Sequence, residues 1–99
     1  MSKLDLGNFG QHFINEQFEM IYKATSKDFQ QLLGLNEFQH ICHSFKQGVK
    51  ILERFSEKEW SGTTQVIWVD QTKQKAIQLA YESNQVITGF YLKPLNTYD

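Results

Sequence analysis

The residues best equipped for chemistry stand together in His40-Ile41-Cys42-His43. Imidazole and thiolate are preferred zinc ligands, and His40 and His43 lie one helical turn apart. The same spacing divides the cluster. On a helical wheel Cys42 joins the apolar stripe of Phe38, Ile41 and Phe45, whereas His40 projects roughly 160° away, so the two side chains cannot close on one ion. Two histidines leave a tetrahedral site half empty, and His12 is the only other imidazole in the chain. The cluster reads as two solvated histidines and a structural thiol, with no metal site. A nucleophilic Cys42 needs a depressed pKa, a base and access, none of which an apolar flank supplies. Lys23, Lys27, Lys46 and Lys50 alternate with Glu16, Glu19 and Glu53 as a mixed solvated face. No phosphate-cradling glycine loop, paired catalytic carboxylates or serine-nucleophile motif is present. The expectation is no catalytic residue, no cofactor and no enzymatic activity.

The 99 residues, 40% of them hydrophobic and 21% charged, are enough for one core and one domain spanning 1–99. A net charge of -1 without a dense basic run removes the usual warrant for binding nucleic acid or an anionic membrane surface. Cys42 has no partner for an intramolecular disulfide. No stretch approaches the roughly 18 apolar residues that a membrane-inserted helix needs, and Met1-Ser2-Lys3-Leu4-Asp5 lacks a leader's apolar segment. As written the chain reads as cytoplasmic, and an excised domain of an exported protein would read the same way.

Positioning these groups are helices before Gly48 and strands after it. Leu6, Phe9, Phe13, Ile14, Phe18, Ile21 and Tyr22 predict one amphipathic helix from about Asp5, its N-cap, bent near Asn15 to Gln17. Ser26 heads a second short helix that Gly34 ends, and Asn36 with Gln39 has capping-box spacing for a third. Gly48 suits a left-handed stop, with Val49 folding back on the last turn. Four strands follow, near 52–61, 63–70, 74–81 and 86–93, joined by short polar breaks that make neighbours antiparallel. Alternation assigns Ile67, Val69, Ile77, Leu79, Tyr81, Phe90 and Leu92 to the face beneath the helices. The opposite face then holds Val66, Trp68, Ala76, Gln78, Ala80, Ile87 and Tyr91, too apolar a set for water alone. Trp60 reads as a cap on the end of the core.

Gln17-Phe18-Glu19-Met20-Ile21-Tyr22, followed by Ser26-Lys27-Asp28-Phe29, resembles the helix and Ser-x-x-Phe turn of a small domain of unknown function in the nuclear transport factor two-like, cystatin-like superfamily. Ile87-Thr88-Gly89-Phe90-Tyr91-Leu92-Lys93-Pro94, after the polar turn from Glu82, resembles the last hairpin of that domain. The resemblance spans about Phe9 to Leu95. It implies an α+β, cystatin-like fold, with N-terminal helices packed on a four-stranded antiparallel sheet, in a bacterial domain that stands alone or in front of serine hydrolases. The isomerase-like branches of the superfamily use a carboxylate base and acidic or phenolic donors converging in an apolar pocket. In the face assigned to the helices, Tyr81 is the one polar-tipped member.

The leading expectation is a non-enzymatic interaction or accessory module. It would form a homodimer, or dock a protein partner such as a hydrolase, through Val66, Trp68, Gln78, Ile87 and Tyr91; cover by the N-terminal segment or the tail is the competing account of that face. The alternative is a small-molecule site between helices and concave sheet, lined by Tyr22, Phe38, Cys42, Tyr81 and Phe90. An isomerase-like enzyme is the third reading.

Overall fold

A computed structural model describes residues 5–94; the start at Met1 to Leu4 and the tail from Leu95 lie outside the described residues. A 3-10 turn, Leu6–Asn8, leads into α1 (Phe9–Ile14), α2 (Phe18–Lys23), α3 (Lys27–Leu32) and α4 (Leu35–Lys46). The strands are β1 (Leu52–Trp60), β2 (Thr63–Asp70), β3 (Lys75–Glu82) and β4 (Ile87–Pro94), all antiparallel in the order β1-β2-β3-β4. The chain is an α+β domain with its helices N-terminal to its sheet.

Local chemistry accounts for most boundaries. The Asp5 carboxylate accepts the Gly7 N–H at 3.0 Å, and the Ser26 hydroxyl accepts the Phe29 N–H at 3.2 Å, each removing an orphan donor at a helix start. The expected long first helix is broken where it was expected to bend, because Glu16 takes a φ of 59° between α1 and α2. Gly48, with φ at 83°, ends α4, and the Val49 N–H returns to the Lys46 carbonyl at 2.8 Å. Lys75 secures this end from the sheet: its Nζ donates to the carbonyls of Phe45 and Gln47 at 3.0 and 2.9 Å. The start of α4 differs from expectation. Gly34, extended at φ -75° and ψ 163°, precedes the first turn, so Asn36 lies inside the helix and caps nothing. Ile41 is 42% exposed because it sits at the margin of the stripe centred on Phe38, Cys42 and Phe45.

Strand register settles the two faces. Partners in an antiparallel pair point to the same side, and Val66 opposes Leu79 while Trp68 opposes Ile77. Val66, Trp68, Ile77, Leu79 and Ile87 therefore meet Leu6, Phe9, Phe13, Phe18, Ile21, Phe38 and Cys42 in one core. Trp68 is 6% exposed, with its ring 6.0 Å from Phe9 and the Arg54 guanidinium 5.5 Å above it. Gly10 lets α1 approach this closely, since a Cβ there would stand 2.9 Å from both the Leu52 carbonyl oxygen and the indole. The assignment of Val66, Trp68 and Ile87 to the outer face is thus corrected, as is that of Ile67 and Val69 to the inner one. Gln78 and Tyr91 do share the outer face, where they oppose each other.

The β2–β3 turn is built around Asp70, a buried carboxylate that accepts from the Thr72 hydroxyl and from the N–H groups of Gln74 and Lys75 at 3.1 and 3.2 Å. Burial pushes its pKa up, but hydrogen bonds from Lys75, Thr72, Gln74 and Lys73 outweigh burial and hold it below the usual carboxylate range. A depressed folded-state pKa contributes stability that is present above the unfolded value of about 3.9 and is lost as pH falls through the folded value. Urea denaturation should show the wild type losing more stability than Asp70→Asn as pH falls from 5 to 2. Parallel losses in the two proteins would remove Asp70 from the acid response.

Candidate functional site

The chemistry-bearing residues are separated by the fold. Cys42 lies wholly in the core, where burial pushes its thiol up to about 12 and keeps it protonated. His40 is exposed, whereas the His43 ring stands edge-on to Phe18, with centroids 4.8 Å apart, and its Nδ1 lies 3.8 Å from Glu16. Glu16 also holds Lys46 at 3.3 Å, so this helix face carries mixed charge. Among the described residues no three His, Cys, Asp or Glu side chains are grouped to hold a metal ion.

The expected pocket between α4 and the sheet is filled. The Phe38 ring centroid lies 5.3 Å from Tyr22 and 5.1 Å from Phe90, and Phe29 closes the cluster at 6.1 Å. The Tyr22 hydroxyl donates to the Leu33 carbonyl at 2.7 Å, which ties α2 to the end of α3. Of the five residues expected to line one cavity, Tyr22, Phe38 and Phe90 pack into an aromatic cluster and Cys42 is buried in the same core. Tyr81 belongs to a polar end of the inner face.

That polar end went unrecognised in the sequence. Arg54 opposes Trp68, and beyond an irregularity that leaves Phe55 unpaired, Glu57 opposes Val66 and Glu59 opposes Thr64, so all three share the side of Tyr81. Arg54 binds Glu57 at 3.1 Å and the Gly7 carbonyl at 2.9 Å, while Thr64 donates to Glu59 at 3.3 Å. Burial, then the negative field of Glu57, raises the Tyr81 pKa against the opposing pull of Arg54; Glu59 and Asp5 add to the rise. The phenol stays a hydrogen-bond donor, and each carboxylate already has a partner within the fold. The signal was in the sequence as Arg54-Phe55-Ser56-Glu57, but the unpaired Phe55 shifts its alternation by one.

One open feature of the surface lies beside β4. A groove of about 400 Å³ runs between α3 and the strand, with Phe29, Leu32 and Leu33 on one wall and Thr88 through Tyr91 on the other. Asp28 is the charged residue in its lining. Leu32 is 87% exposed and Tyr91 51% exposed, and Phe90 is the one residue of the expected pocket that reaches this groove. β4 is also an edge of the sheet. At its start the edge is closed, because the Ile87 N–H donates to Ala24 at 2.7 Å and its carbonyl accepts from Ser26 at 2.8 Å. These bonds point away from β3 at Ile87, opposite Tyr81; Leu79 and Ile77 follow Tyr81 at intervals of two, so their partners Phe90 and Leu92 present backbone groups to the same edge.

Compared with family models, curated proteins and solved structures, the chain matches none. The fold and this margin define an α+β domain in which Leu32, the most exposed large apolar side chain among the described residues, borders an edge strand. No helix among the described residues is long and apolar enough to cross a membrane.

Proposed function

We propose that the domain is a non-enzymatic interaction module that docks an extended polypeptide segment along the β4 margin. The observation that carries this reading is the coincidence of a strand edge that, past Ile87, no other strand joins among the described residues, an apolar groove and the exposed side chains of Leu32 and Tyr91 in one place. An added strand gains main-chain hydrogen bonds from the edge and places alternate side chains in the groove. The groups that could do chemistry support the same conclusion, since the Cys42 thiol is buried and protonated and Asp70 is spent on its turn. The superfamily resemblance adds the cystatin-like description and an accessory role beside a hydrolase.

A library of displayed random heptapeptides, selected on the wild type, tests the reading. Groove-dependent peptides should alternate apolar and polar residues and lose at least tenfold in affinity on Leu32→Asp. Selected peptides indifferent to that change would overturn it. The groove volume of about 400 Å³ favours a second reading, a small apolar ligand, since it falls within the roughly 300–1,000 Å³ of ligand pockets. Fragment binding seen by NMR as shifts at Phe29, Leu33 and Phe90, with Leu92 unmoved, would select it.

A further inference from the structure

We propose that the segment docked on the β4 margin is the β4 strand of a second copy, paired antiparallel about a two-fold axis at Tyr91; this rests on the docking reading above. The two edges of the sheet are unlike. β1 carries Glu53, Arg54, Glu57, Lys58 and Glu59 and is interrupted at Phe55, features that discourage strand addition. β4 carries one charged residue, Lys93, and no break after Gly89. One edge is guarded and the other is not.

The register follows from the backbone. Phe90 and Leu92 present their N–H and C=O groups outward, so a two-fold axis at Tyr91 sets Phe90 of each copy against Leu92 of the other, each pair exchanging both hydrogen bonds. The two Tyr91 side chains then meet as a non-hydrogen-bonded pair on the outer face, where aromatic pairs contribute most. Pro94, which has no N–H, ends the pairing. Lys93 of one copy falls opposite Gly89 of the other, and its ammonium lies over the ring of its own Tyr91 at 5.4 Å, so the one charge of the strand sits beside the paired tyrosines. The patch is small, a short strand with Tyr91 and Leu32 on each side, below the roughly 1,200 Å² total of standard stable interfaces. The dimer should therefore dissociate at about 10 µM to 1 mM.

Light scattering across that range, combined with Tyr91→Cys, provides the test. Non-hydrogen-bonded partners have Cα atoms about 4.5 Å apart, within disulfide reach, and the buried Cys42 does not compete. Under mild oxidation Tyr91→Cys should convert more than half of the protein to a disulfide dimer, and Trp60→Cys, half-exposed on the opposite edge, less than a tenth. Equal cross-linking of the two variants, or none at Tyr91→Cys, overturns the proposal. Hydrogen exchange on the wild type separates the two levels. A monomer with fast-exchanging Phe90 and Leu92 amides excludes the second copy and leaves the edge open to another polypeptide, whereas a monomer with both amides protected overturns the docking reading as well.

Discussion

Trp68→Arg is expected to unfold most of the protein. The indole packs against Phe9 at 6.0 Å, beneath the Arg54 guanidinium and against Gly10, with 6% of its surface exposed. Arginine would remove that packing and set a second positive charge beside Arg54, whose carboxylate partner Glu57 is already engaged. Truncating a buried aromatic costs about 3–5 kcal/mol and an unpaired buried charge adds several more, against a total of about 5–15 kcal/mol for a typical domain. Trp68→Phe is the control. It keeps a ring in the core and deletes an indole N–H that is buried without a hydrogen-bond partner, so it should shift stability by less than about 1.5 kcal/mol. Urea denaturation checks both variants. A Trp68→Arg protein with a wild-type midpoint would place the indole on the outer face.

The elements were legible because each is announced locally, and the faces were not because each depends on a partner strand. Asp5, Ser26 and Gly48 mark helix ends through groups their own side chains or backbones satisfy, and all three act there. Val66-Ile67-Trp68-Val69 carries no alternation. β2 is a central strand, and Val69 and its outer-face partner Ala76 are as buried as the core, so both sides of the strand demand apolar residues. Only the pairing of Trp68 with Ile77 decides the phase. Ile87 was hidden by a different cause. Ala80 opposes Gly89 while Tyr81 opposes Ile87, leaving Thr88 as an extra residue, so Ile87 and Phe90 face inward although they are three apart. The groove beside β4 was invisible for a related reason: it is made where α3 fails to cover β4, a relation between elements more than fifty residues apart.

Phe38→Ala is expected to cost about 3–5 kcal/mol, lowering the melting temperature by more than about 10 °C, and it reports directly on whether the helix–sheet space is a site or a core. Phe38 is enclosed by Tyr22, Phe29 and Phe90 from three different elements, with Cys42 one turn along its own helix. Those neighbours cannot all close in, because Tyr22 is held by its hydrogen bond to Leu33 and Phe90 by its strand. A cavity should therefore persist in the variant, and an apolar cavity stays dry and accepts small apolar guests. Benzene should raise the melting temperature of Phe38→Ala and leave the wild type unchanged. Were the wild type stabilised equally, the aromatic cluster would already hold an open cavity, and small-molecule binding would move from the β4 groove back to the space beneath α4. A loss below about 1 kcal/mol on Phe38→Ala would point the same way, since a ring that lines an open pocket has little packing to lose.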